Sequence, residues 1–85
     1  MEIKLHRNFL KAYKKLPVKI KEKFKERRNL FIENMFHPLL NNHSVEPIHP
    51  NWRSIDITGD YRALFEVVGK DTIVFTKIGT HSELY

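Results

Sequence analysis

Ile3 and Leu5 alternate with charged neighbours, the period-two pattern of a half-buried strand. Asn8 is placed to cap a helix in which Phe9, Leu10, Tyr13 and Leu16 recur at helical spacing. Pro17 stops that helix and suits the first turn of the next one. From Val18 to about Asn34 the chain is made of helix formers, with Ile20, Phe24, Phe31 and Met35 as an apolar stripe among lysines. Residues 36–51 change character. His37-Pro38, Asn41-Asn42-His43, Pro47 and Pro50 predict an irregular connection, long enough in so small a chain to carry function.

Three strand-like stretches complete the chain. Ile55 and Ile57 alternate with Ser54, Asp56 and Thr58; Tyr61–Val68 and Thr72–Ile78 are rich in aromatic and β-branched residues. Gly59-Asp60 and Gly69-Lys70-Asp71 read as the hairpin turns between them. The predicted fold is α+β in the order β-α-α-β-β-β: a small antiparallel sheet, mixed if the first strand joins beside the last, with two N-terminal helices on one face. Eighty-five residues suffice for one domain, 1–85, without a second core.

Charge sharpens this picture. Residues 1–28 carry a net +8 and residues 29–85 a net −3, giving the total of +5. A basic helical half suggests a surface that faces a polyanion, although a solvated helix face has the same composition. The chain has no cysteine, so disulfides and thiolate zinc sites are excluded, and a reducing compartment fits. No apolar run approaches the roughly 20 residues of a membrane span, and the first residues lack a signal-peptide core. The expectation is a cytoplasmic protein with no membrane partner.

The strand half supplies the side chains of acid–base chemistry: Asp56, Asp60, Arg62, Lys77, His81 and Tyr85. Cleavage of RNA without a cofactor needs a base for the ribose 2′-hydroxyl, an acid for the departing 5′-oxygen and a cation for the phosphorane. Pleating turns Asp56 away from the face that Ile55 and Ile57 bury. Asp60 falls in the turn, Arg62 just after it, and His81 and Tyr85 at or beyond the end of the last strand. Each also has a plain structural role open to it. Asp60 is a good turn former, Arg62 can pair with Asp60 or Glu66, and a terminal aromatic can be a packing plug. His6 reads as decoration of the first strand, and His37 and His49 as loop residues beside prolines. The five histidines lack the paired spacing of a zinc site, and no metal or cofactor is expected.

The run Trp52-Arg53-Ser54-Ile55-Asp56-Ile57-Thr58-Gly59-Asp60-Tyr61-Arg62-Ala63-Leu64-Phe65-Glu66-Val67 resembles the central hairpin of the RelE/ParE toxin superfamily. The ending Gly79-Thr80-His81-Ser82-Glu83-Leu84-Tyr85 is similar to that of its YafQ-like branch, where Gly-Thr-His is followed four residues later by an aromatic. Phe9, the lysine-rich helices and Leu16-Pro17 agree, so the resemblance spans nearly the whole chain. It implies an endoribonuclease that cuts mRNA on the ribosome and a cognate antitoxin that holds it in check. It further implies His81 as the terminal catalytic histidine, Tyr85 as the closing aromatic, Asp60 as the acidic residue beside the hairpin and His43 as a loop histidine. The position four before Asp60, a histidine in the YafQ-like branch, is Asp56 here, which leaves the base open between Asp60 and His43. Arg62 resembles the phosphate-binding arginine of RelE-like members. Lys11, Lys14, Lys15, Lys19, Lys23, Arg27, Arg28 and Lys77 would then bind RNA. Two other readings compete: a ParE-like gyrase poison, whose members generally lack the terminal histidine and aromatic, and a non-catalytic basic RNA-binding module.

Overall fold

The computed structural model describes residues 1–46 and 50–85, so Pro47 and His49 lie outside the described residues. The elements are β1 (Glu2–Leu5), α1 (Arg7–Lys14), α2 (Val18–Glu33), a 3₁₀ turn (Pro38–Leu40), β2 (His43–Ser44), β3 (Trp52–Asp56), β4 (Tyr61–Val68), β5 (Thr72–Thr80) and α3 (His81–Leu84). The expected order is present, with additions. The connection expected to be irregular contains the 3₁₀ turn and the edge strand β2, and the tail closes as a short helix. The sheet runs β1-β5-β4-β3-β2; β1 lies parallel to β5 and the other neighbours pair antiparallel, so the sheet is mixed at one edge.

Local chemistry explains the helix starts. The cap of α1 is His6 rather than Asn8: His6 Nδ1 accepts the Asn8 N–H at 3.0 Å. Pro17 stands at the start of α2, where a missing N–H costs nothing because the first-turn donors have no helical acceptor. Of the apolar positions expected in α1, Phe9 is fully buried but Leu10 is exposed, and Ala12 packs inward instead.

Five of the six phenylalanines build the core between helices and sheet. Phe9, Phe24, Phe31, Phe65 and Phe75 pack with ring centroids 5.2–5.8 Å apart, several edge to face. Truncating one of them to Ala should cost about 3–5 kcal/mol, a large share of what so small a chain has. Leu64 is fully buried outside this cluster, in the Ser54–Leu64–Lys77 row of the opposite face.

One irregularity sets the register of the functional end. Phe65 pairs with Phe75, but Leu64 pairs with Lys77, leaving Thr76 as an extra residue whose hydroxyl donates to the Leu64 carbonyl at 3.3 Å. Strict alternation would turn Lys77 into the core beside Ile73 and Phe75. The bulge instead buries Ile78 and leaves Lys77 exposed, with its Nζ 5.9 Å from the Trp52 ring centroid. Beyond it Gly79 faces Arg62 and Thr80 faces Tyr61.

Candidate active site

The Asp56–Arg62–Gly79 row crosses the sheet near the β3–β4 turn, on the face away from the helices. Arg62 Nε lies 2.8 Å from Asp56 Oδ1. The Arg62 partner is thus Asp56, directly opposite on β3, and not the Asp60 or Glu66 considered from the sequence. Arg62 Nη1 donates to the carbonyls of Thr58, Gly59 and Tyr61 at 2.9–3.1 Å, so the turn folds around one side of the guanidinium. Nη2 takes no part in these contacts. The turn itself is fixed by Thr58, whose Oγ1 accepts the N–H groups of Asp60 and Tyr61.

A second chain of contacts reaches Asp56 from the edge strand. Asn41 adopts a left-handed backbone (φ 47°), which asparagine tolerates better than most residues. Its side-chain amide donates to Asp56 Oδ2 at 3.4 Å, and its carbonyl lies 2.7 Å from His43 Nδ1. A carbonyl can only accept, so this contact places the proton of a neutral His43 on Nδ1 and the lone pair on Nε2. Nε2 is therefore the atom able to take a proton.

The tail closes the end of the sheet. The His81 N–H donates to the Asp60 carbonyl at 2.9 Å, fixing the first turn of α3 beside the β3–β4 turn. The rings of His81 and Tyr85 lie 4.7 Å apart, centroid to centroid. A capping box holds α3: Glu83 Oε1 accepts the Thr80 N–H at 2.7 Å, and Thr80 Oγ1 accepts the Glu83 N–H. The Thr80 N–H, with a further contribution from the Thr80 side chain, holds the Glu83 carboxyl below the usual range for glutamate. Gly79 permits this closure, since a Cβ there would stand 3.1 Å from Glu83 Oε1.

The six residues proposed from the sequence thus fall into two linked groups: Asp60, His81 and Tyr85 at the turn and tail, and Arg62, Asp56 and His43 across the strands. Asn41, which joins the last three, had no signal beyond an Asn-Asn pair before His43. Among the basic residues, Lys11 and Lys15 line a groove beside α1, and Lys14 and Lys19 are exposed. Lys23 pairs with Glu26 at 3.4 Å, and Arg28 Nη2 donates to Asn29 Oδ1. Arg27 is tied differently: its Nε donates to the Ile57 carbonyl at 3.4 Å, so it tethers α2 to the end of β3.

A family profile, that of the ParE toxin of the type II toxin–antitoxin system parDE, matches residues 3–85. The chain belongs to this family. No curated protein sequence matches the toxin. Its fold is shared with YafQ from E. coli strain BL21(DE3), at a TM-score of 0.81 and 20% identity over 99% of this chain and 97% of that one. It is similar to the YoeB/ParE toxin from Agrobacterium tumefaciens at 0.79 and 15% identity, covering 95% and 99%. The intact E. coli RelBE toxin–antitoxin complex matches at 0.72 and 17% identity, covering 93% and 94%. The toxin therefore has the RelE-like α+β fold within the RelE/ParE superfamily. Among its described residues, no helix is long and apolar enough to cross a membrane.

Proposed function

We propose that this toxin is an endoribonuclease that cuts mRNA during translation, in the cytoplasm, with residues 1–85 acting as one domain. The observation that carries the reading is that Arg62, buttressed by Asp56, and the backbone junction of Asp60 with His81 lie at the same end of the sheet. In the reaction, a base takes the proton of a ribose 2′-hydroxyl and the 2′-oxygen attacks the adjacent phosphorus. The bond from phosphorus to the 5′-oxygen breaks, and an acid returns a proton to that oxygen. The products are a 2′,3′-cyclic phosphate and a 5′-hydroxyl.

His81 is the acid. It stands exposed at the start of α3, where its imidazole is open to a bound substrate. His43 Nε2 is the base, with its lone pair set by the Asn41 carbonyl; Asp60 is the alternative base at the turn. Arg62 Nη2 and its delocalised charge hold the phosphate, because a guanidinium stays protonated and matches phosphate geometry. Tyr85 stacks on a base or positions the ribose. Lys11, Lys14, Lys15, Lys19, Lys23, Arg28 and Lys77 provide contacts to RNA that weaken with salt. A cognate antitoxin, as in the RelBE complex, would hold the toxin inactive.

The family profile is that of ParE toxins, and this favours a second reading, in which the target is DNA gyrase. One experiment separates them: the protein is added to a cell-free translation reaction, mRNA ends are mapped by primer extension, and gyrase supercoiling is followed in parallel. New ends within translated codons support the ribonuclease. Inhibited supercoiling with intact mRNA overturns it in favour of the gyrase poison.

A further inference from the structure

A groove of about 440 Å³ opens on the helix side of the same sheet end, a volume within the usual range for a small-molecule-sized ligand. Asn8, Lys11 and Lys15 of the α1 region form one wall; Tyr61, Gly79 and Glu83 form the other. Lys11 and Lys15 are four residues apart and share a helix face. Among the described residues neither ammonium is in an ion pair. Glu83, the one acid in the groove, keeps its charge while its Oε1 accepts the Thr80 N–H, and it forms no ion pair with either lysine. The groove thus combines two cations, in excess of its one carboxylate, with the half-buried ring of Tyr61 and the amide of Asn8.

Its position is as informative as its lining. Tyr61 lies between Asp60 and Arg62, Gly79 pairs with Arg62, and α3 carries both His81 and Glu83. Tyr61 and Arg62 point to opposite faces, so a strand held at Arg62 reaches the groove by crossing the sheet end beside α3.

We propose that this groove is a nucleotide subsite for the single-stranded RNA flanking the cut. Lys11 and Lys15 hold a phosphate and Tyr61 packs against a base. This inference rests on the ribonuclease reading, and it assigns the two lysines to the mRNA strand. Two cations on a backbone phosphate and an aromatic surface for a base are the elements of single-strand recognition. An acidic segment of a protein partner is the competing occupant.

The test uses ¹⁵N-labelled full-length protein carrying His81→Ala, which keeps the RNA intact, titrated with a short single-stranded RNA extending to both sides of the cut codon. The expected result is amide shifts at Lys11, Lys15 and Tyr61 together with those at Arg62. Lys11→Glu/Lys15→Glu should raise the Kd about tenfold or more. It should also reduce the slope of log K against log salt by roughly 0.7, the share of one phosphate contact on a single strand. Lys25→Glu/Lys70→Glu, an equal charge change away from the groove, should do markedly less. Shifts confined to Arg62 and its neighbours, or equal losses in both double variants, overturn the subsite. So does a groove that responds to an acidic peptide and not to RNA. The ribonuclease reading is judged separately, by whether the wild-type protein makes new mRNA ends in translation.

Discussion

Asp56 and Arg62 face each other across β3 and β4 as an ion pair, with 2.8 Å between Oδ1 and Nε, while three turn carbonyls on Nη1 set which way the guanidinium points. The Arg62 and Asp56 side chains are only 17% and 27% exposed, so solvent does not dissolve the pair as it does most surface pairs. Asp56 is a positioning residue in this arrangement: it holds Arg62 with one oxygen and, through Asn41, is joined to His43 with the other.

Asp56→Ala should therefore loosen Arg62 more than it unfolds the protein. The expected stability loss is about 1–2 kcal/mol, between the values for exposed and buried pairs. Cleavage should fall about 10²-fold, the scale of a small misplacement, with partial rescue by Asp56→Glu. Urea unfolding beside primer extension measures both. Cleavage that tracks only the folded fraction would show that Asp56 has no part in positioning.

His81→Ala removes the proposed acid from an exposed position. Its backbone contact to Asp60 does not need the side chain. Thermal unfolding should change little while cleavage falls about 10²–10⁴-fold. A variant that cuts at the wild-type rate would exclude His81.

Gly79→Ala should disturb the tail. The new Cβ meets Glu83 Oε1 at 3.1 Å, so the carboxylate must shift away from its Thr80 partner. The capping box at the start of α3 is weakened, and cleavage should drop through the misplaced His81. Amide exchange of residues 81–85 reads the loosening directly; unchanged protection would contradict it.

The pH dependence of α3 is set by Glu83. Its carboxyl is held below the ordinary range in the folded chain, so its contribution is fully present above the unfolded pKa of about 4.3 and is lost as pH falls through the lower folded value. Acidification below the ordinary glutamate range should release α3. In Glu83→Gln, which keeps an acceptor without the charge, this step should vanish. NMR shifts of residues 80–85 against pH supply the check.

Much of the fold was legible in the chain because it is periodic. Ile55 and Ile57 placed Asp56 on the outer face, and the Phe24 and Phe31 spacing placed α2 on the core. Even the bulge left a trace, in the step from odd to even apolar positions at Ile73, Phe75 and Ile78. Other features depend on contacts between distant segments, which periodicity does not encode. The two residues of β2 are too short to show alternation. Asn41 reaches Asp56 only because its left-handed turn meets β3. Arg62 had three acids within reach of its hairpin, and the strand register, not the sequence spacing, selected Asp56. Arg27 looked like any other cation on a basic helix until the end of β3 supplied it with a carbonyl.

The chemistry turns on a single atom of the substrate, the ribose 2′-oxygen. The most direct measurement is primer extension on a translated mRNA with one 2′-deoxyribose at the cut position, compared with its all-ribose twin. We expect the all-ribose message to be cut and the substituted one to survive at that position. Equal cutting of both, or of neither, would contradict the mechanism.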